Sequence, residues 1–153
     1  MELQGFKPQR GVAMVEFAIT LPLLLLLLLA IGEIARMLYQ YNSLLQASRD
    51  AARFVAIGAW NSTQGKIDLT SDPQLVLQTK NLAVYGVPGN TATPLVSGLT
   101  SANVQVSAQG AEHVSVTISY TFVPVIGNGI PAFIGSGTAL NFPLVATTVM
   151  RAL

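Results

Sequence analysis

The sequence predicts an α+β chain: a long N-terminal transmembrane and amphipathic spine helix, then a small domain with a second helix and a three-stranded antiparallel sheet. Three observations carry that expectation. From Phe17 to Gly32 no side chain is ionisable, and Leu23 to Leu29 is unbroken leucine. Up to Gly58 the apolar residues then recur three and four apart, the spacing of one helical face. After residue 103 they alternate with polar residues, the period of a half-buried strand.

With Val12 to Val15 added, the first apolar segment reaches about 20 residues, enough to cross a bilayer at ~1.5 Å per residue. Lys7 and Arg10 flank its N-terminal side, while Glu33 and Arg36 nearly cancel on the other. Positive flanks stay cytoplasmic. The chain is therefore expected to be a single-pass protein of the inner membrane with its C-terminal domain extracytoplasmic. The expected division is a leader at 1–11, the spine helix at 12–58 and the extracytoplasmic α+β domain at 59–153. A secretory signal places its small-residue cleavage site after the apolar stretch. Here the small residue, Gly11, precedes it, so a cut there removes the leader and leaves the membrane helix in place. Glu16 lies five residues past Gly11 inside the apolar segment, where a carboxylate is costly and marks function. Pro22 removes one helical donor and crowds the preceding turn, predicting a kink or a loosened turn that a membrane helix tolerates.

Beyond the membrane, Ile34, Met37, Leu38, Tyr41, Leu44, Leu45, Ser48, Ala52 and Val55 predict one buried stripe. Gly58 is the expected stop, and a helix from about residue 13 to 57 would measure roughly 65–70 Å. Residues 58–72 read as a connector rich in Gly, Asn, Ser, Thr and Asp. Asp72-Pro73 predicts a second helix, with Asp72 as N-cap and Pro73 in the first turn. Leu75, Val76, Leu82, Ala83 and Val84 give that helix a packing face, and Gly86 with Pro88-Gly89 ends it. Val104 and Val106, then Val114, Val116, Ile118, Tyr120 and Phe122, mark the apolar faces of two strands joined through Gln109-Gly110. A third strand is expected over about 139–150, with Leu140, Phe142, Leu144, Ala146 and Thr148 on one side. Pro143 within it argues for an edge position or a break. Residues 124–137 read as an apolar loop with one helical turn at 130–134.

Composition excludes several functions. Of 8 basic and 7 acidic residues, Lys7, Arg10 and Glu2 belong to the leader, so the remainder is neutral. No basic run suggests a nucleic-acid surface. Cysteine is absent, which removes disulfide scaffolds and thiolate metal sites. His113 is the single histidine and reads as a solvated turn residue, with no nucleophile motif beside it. Glu33 and Arg36 read as an exposed pair at helical spacing. Tyr39 and Tyr41 read as interfacial anchors. No enzyme, metal or cofactor is expected.

Gly11 before an apolar residue, with Glu16 five positions past the cut, resembles the processing site of type IV prepilins. The run Val15-Glu16-Phe17-Ala18-Ile19-Thr20-Leu21-Pro22-Leu23-Leu24-Leu25 is similar more specifically to the TadE-like pilins and pseudopilins of tight-adherence secretion systems. The resemblance is specific over 10–58. It continues by pattern over 102–152, where Tyr120-Thr121-Phe122-Val123-Pro124 and Ala146-Thr147-Thr148-Val149-Met150-Arg151 look like TadE-like C-terminal regions, and it does not cover 59–101. It implies a minor pilin or pseudopilin of a type IVc pilus, cut between Gly11 and Val12 by a prepilin peptidase. It also implies that the new amine of Val12 meets Glu16 of a neighbouring subunit. The implied partners are that peptidase, major and other minor pilins, the inner-membrane assembly platform and the lipid bilayer. The implied destination is the pilus or cell surface, where the subunit contributes to adherence. Two other readings of the same residues stay open: an ordinary signal-anchor helix with an incidental Glu16, and a non-polymerising binding module on a membrane stalk that contacts cell-wall or secretion components.

Overall fold

Helix α1 runs from Arg10 to Gly58, continuous through Pro22. Leucine and alanine carry it, both strong helix formers, and Thr20 Oγ1 donates to the carbonyl oxygen of Glu16 at 2.9 Å. The computed structural model describes residues 10–90, 92–125, 129–130, 138–139 and 141–152. It divides into two units, Met1–Ala35 with Val123–Leu140 and Arg36–Phe122 with Asn141–Leu153.

In the first unit, α1 exposes most of its apolar side chains, among them Val12, Phe17, Leu24, Leu28 and Ile31. The helix is long and apolar enough to cross a membrane. Two short strands, β5 (Gly129–Ile130) and β6 (Thr138–Ala139), pair antiparallel in this unit. The helical turn expected at 130–134 is therefore corrected at Ile130, which pairs with Thr138 in extended backbone. Pro131 supplies the reason, because the residue before a proline is driven away from the helical region. The rest of that expected turn lies outside the described residues, as does Leu140.

The second unit is built around the far half of α1. After Gly58 the chain makes a small hairpin, β1 (Trp60–Asn61) with β2 (Lys66–Ile67), inside the segment read as a plain connector. Gly65 takes φ 62° in its turn, and Asn61 Oδ1 accepts from the amides of Thr63 and Gln64. Helix α2 covers Pro73–Tyr85 as expected. Asp72 Oδ1 caps it by accepting from the amides of Gln74 and Leu75, and Gly86 closes it in the left-handed conformation with φ 74°. Strands β3 (Val104–Gln109), β4 (His113–Thr121) and β7 (Pro143–Arg151) form the antiparallel sheet in the order β3-β4-β7. Pro143 is the first residue of an edge strand, where its missing donor does no harm.

Register lines the inward residues up across the sheet: Val104 pairs with Ile118 and Ile118 with Ala146, while Val106 pairs with Val116 and Val116 with Thr148. This face closes on one core with Leu44, Ala47, Ala51, Ala52, Val55 and Ala56 of α1 and with Leu75, Ala83 and Val84 of α2. Thr79 is buried on α2 as well, its hydroxyl donating to the carbonyl oxygen of Leu75. Ser48 of α1 and Thr148 of β7 share a hydrogen bond of 2.8 Å across the helix–sheet interface.

Two expectations for the helical stripe are corrected. Ile34 and Leu38 are exposed, whereas Gln40, Ala47, Ala51 and Ala56 are buried. The buried stripe thus runs through 40, 44, 47, 51 and 55, and from Leu44 onward it belongs to the core shared with the sheet. Gly58 also has a packing role: a Cβ there would lie 2.8 Å from Leu75 Cδ1, so the end of α1 meets the start of α2 without a side chain between them.

Candidate processing and assembly site

Gly11, Val12 and Glu16 stand in the first two turns of α1 and are exposed. Four residues at 1.5 Å each put Val12 and Glu16 about 6 Å apart along the axis, on neighbouring positions of one face. Thr20 continues that face one turn on and ties itself to the Glu16 carbonyl oxygen. Pro22 follows half-buried, and its ring nitrogen leaves the helix without a donor at that position. A Cβ added to Gly11 would meet no heavy atom within 4 Å, so packing does not ask for glycine there. The first amides of a helix have no intrahelical acceptor, and the backbone around the Gly11–Val12 bond belongs to that turn.

Glu33 differs from its expected role. It is 5% exposed rather than solvated, and its Oε1 accepts the amide hydrogen of Val125 at 2.9 Å. The sequence held one signal for this: Glu33 follows directly on the apolar run, so an acid there has to be accommodated by something other than bulk water. Arg36 is half-buried, with its guanidinium 5.4 Å from the centroid of the Phe122 ring. Gln40, outside the expected stripe, is also buried. Tyr39 is exposed and Tyr41 half-buried.

His113 is exposed at the start of β4, beside the Gly110–Glu112 turn. Glu112 and Arg151 bridge at 3.0 Å on the surface next to it, an exposed pair of small energetic weight. Among the described residues no group of three or more His, Asp or Glu is placed to hold a metal ion. The perturbed carboxylate is Asp68, ahead of α2. The Thr70 hydroxyl and then the Thr70 and Ser71 amides donate to it and hold its pKa at about 2. This is a turn device, not a reactive group.

No curated protein and no solved structure matches the chain. One family does: the model of the TadE-like proteins matches residues 11–53, from Gly11 through Arg53 of α1. That family is one of structural pilins rather than enzymes. The matched stretch contains Gly11, Val12, Glu16 and Pro22, so the family suspected from those residues is the one whose model matches there.

Proposed function

We propose that this chain is a minor pilin or pseudopilin of a tight-adherence (type IVc) pilus, cut between Gly11 and Val12 by a prepilin peptidase. The observation that carries the reading is that the TadE-like match starts at Gly11 and covers the stretch in which α1 exposes its apolar side chains around one carboxylate, Glu16. Glycine at 11 has no packing partner to explain it, whereas a peptidase cleft closing on the residue before the scissile bond excludes larger side chains. Glycine also costs a helix about 1 kcal/mol relative to alanine, which eases opening of the first turn into the extended form that a peptidase holds.

In this reading 1–11 is the leader, 12–58 the spine and 59–153 the extracytoplasmic domain. Lys7 and Arg10 hold the leader at the cytoplasmic face of the inner membrane. Cleavage creates a free amine on Val12, and a staggered neighbour brings its own amine to Glu16. A carboxylate buried among helices without a cation costs several kcal/mol. Cleavage thereby supplies the partner that licenses assembly with major and other minor pilins on the inner-membrane platform. The match ends at residue 53 while the core of the second unit extends to Ala152. A separate domain of that extent favours a minor component over a shaft of bare helices.

N-terminal mass analysis of protein from sheared surface filaments and from membranes tests the reading. The mature chain is expected to begin at Val12, and Gly11→Leu is expected to remain uncut. Intact Met1 on protein recovered from an assembled, functional pilus would overturn it.

A further inference from the structure

We propose that Val123-Pro124-Val125 is a membrane-contact segment seated on lipid at the outer face of the bilayer, and that Glu33 is the latch that sets its depth. The proposal rests on reading α1 as the membrane span. Glu33 is 21 residues beyond Val12, about 32 Å along a helix of ~1.5 Å per residue, against about 30 Å of hydrocarbon in a typical bilayer. The carboxylate therefore stands at the outer hydrocarbon boundary. Its neighbours on α1, Ile31 and Ile34, are 58% and 42% exposed, yet Glu33 itself is 5% exposed. Its Oε1 takes the Val125 amide hydrogen at 2.9 Å, which fixes this segment at the same depth.

The chemistry of the segment fits a lipid surface. Val123 and Val125 are 60% and 71% exposed, apolar side chains turned to the surface as Ile31 and Ile34 of α1 are. Unsatisfied backbone N–H and C=O groups are what keep irregular chain out of the hydrocarbon, and at its boundary carbonyl oxygens can still meet interfacial water. Pro124 has no amide hydrogen, and that of Val125 is taken by Glu33. The segment thus offers two apolar side chains, and two of its three positions present no free amide hydrogen. The match in depth with the end of the apolar run identifies the occupant as lipid.

The natural chain has no cysteine, so single cysteines report without background. Val125→Cys, Leu25→Cys on α1 and Leu77→Cys on the exposed face of α2 are each labelled with a nitrobenzoxadiazole fluorophore. The full chain is then reconstituted in phosphatidylcholine vesicles. Quenching by lipids brominated near the headgroup end of the acyl chain is compared with quenching by iodide present on both sides of the membrane. The label at 125 is expected to resemble that at 25, quenched by bromolipid and several-fold less by iodide than the label at 77. Adding Glu33→Ala is expected to raise iodide quenching at 125 alone. Glu33→Gln, whose amide oxygen still accepts, is expected to keep it low. A label at 125 as open to iodide as that at 77, with 25 still in lipid, would overturn the seating by itself. Iodide access at 25 would overturn the membrane span beneath it. A label at 125 that stays in lipid with Glu33→Ala would overturn the latch.

Discussion

Between Val12 and Ile34, α1 turns valine, phenylalanine, isoleucine and leucine outward, whereas between Leu44 and Ala56 the same helix buries mostly alanine, with one leucine, one serine and one valine. Hydropathy alone would rank these halves the other way. The difference shows that burial inside the chain follows how closely the neighbouring elements come. Alanines at 47, 51, 52 and 56 share one buried cluster with residues of the sheet and α2, and interiors packed at crystal-like density reward such shape matching. The first half has large side chains, and the three-stranded sheet belongs to the other unit. An exposed apolar surface of that extent marks an interaction with membrane or protein. One half of the helix is completed by its own domain; the other, long and apolar enough to cross a membrane, is completed in the proposed function by lipid and neighbouring subunits.

The sharpest break between the halves is at Glu16. Glu16→Ala makes the membrane segment more apolar by about 1–3 kcal/mol depending on depth, so insertion should be at least as good as in the wild type. Cleavage should persist, because the Gly11–Val12 bond is untouched. Incorporation should be lost, since the variant leaves a neighbour's new amine unpaired in a water-poor bundle. Glu16→Asp should be intermediate. Immunoblots of sheared filaments against membranes read the outcome, and wild-type incorporation of Glu16→Ala would leave the stalked binding module as the better account.

Next in size is a matched pair of truncations. Ile118 is fully buried on the central strand, and Ile118→Ala should destabilise the second unit by about 2–5 kcal/mol. Leu25 is half exposed in the outward-turned apolar half. Leu25→Ala should change the stability of that unit by less than about 0.5 kcal/mol, while weakening membrane insertion by about 0.5 kcal/mol. Urea midpoints followed by tryptophan fluorescence compare the two, since Trp60 is the single tryptophan. Equal midpoint shifts would mean that the two halves are not separate in their packing.

The converse test enlarges a small residue. Ala52 is fully buried where α1 meets the core, so Ala52→Leu should cost about 1–3 kcal/mol through overpacking, despite raising both hydropathy and the number of apolar atoms. A stabilised variant would show that the alanines are incidental and that the helix lies looser on the sheet than its burial indicates.

That alanine stripe was the part of the spine least legible in sequence. Alanine weighs little in a periodicity count, so Ile34 and Leu38 outranked Ala47 and Ala51, although a sheet approaches only over the latter. Local rules read well. Asp72, Pro73 and Gly86 bound α2 because caps and proline geometry act within a few residues. Alternation gave the inward faces of β3, β4 and β7 because side chains on a strand point to opposite faces. Ser115 departs from this, buried on the outward side of β4 for no reason that the contacts explain. What could not be read depends on distant partners. Glu33 is buried and accepts a hydrogen bond from Val125, 92 residues away, and β5 and β6 are two-residue strands whose pairing leaves no periodic trace. At the candidate site, residue types and spacing carried the reading, and the coordinates added that Gly11 has no packing reason to be glycine.

The smallest expected effect concerns the turn that leads into α2, on the packed side of the comparison. Asp68 accepts from the Thr70 hydroxyl at 2.7 Å and from the Thr70 and Ser71 amides at 2.9 and 3.1 Å. These donors favour the ionised form and lower its pKa from 3.8 to about 2. A carboxylate depressed in this way stabilises the fold fully above its unfolded value of 3.8, and the contribution is lost as the pH falls through 3.8 towards 2. The wild-type thermal midpoint should therefore drop more steeply across that window than that of Asp68→Asn, which keeps an oxygen acceptor but has no proton to bind. Every other carboxylate is common to both chains, so the difference between the two curves isolates Asp68. Solvent around the turn screens the charge, which is why the separation should be the smallest of these effects. Curves that stay parallel from above 3.8 down to about 2 would mean that the turn hydrogen bonds give no preference for the ionised carboxylate, and that the approach to α2 is held by the Asp72 cap alone.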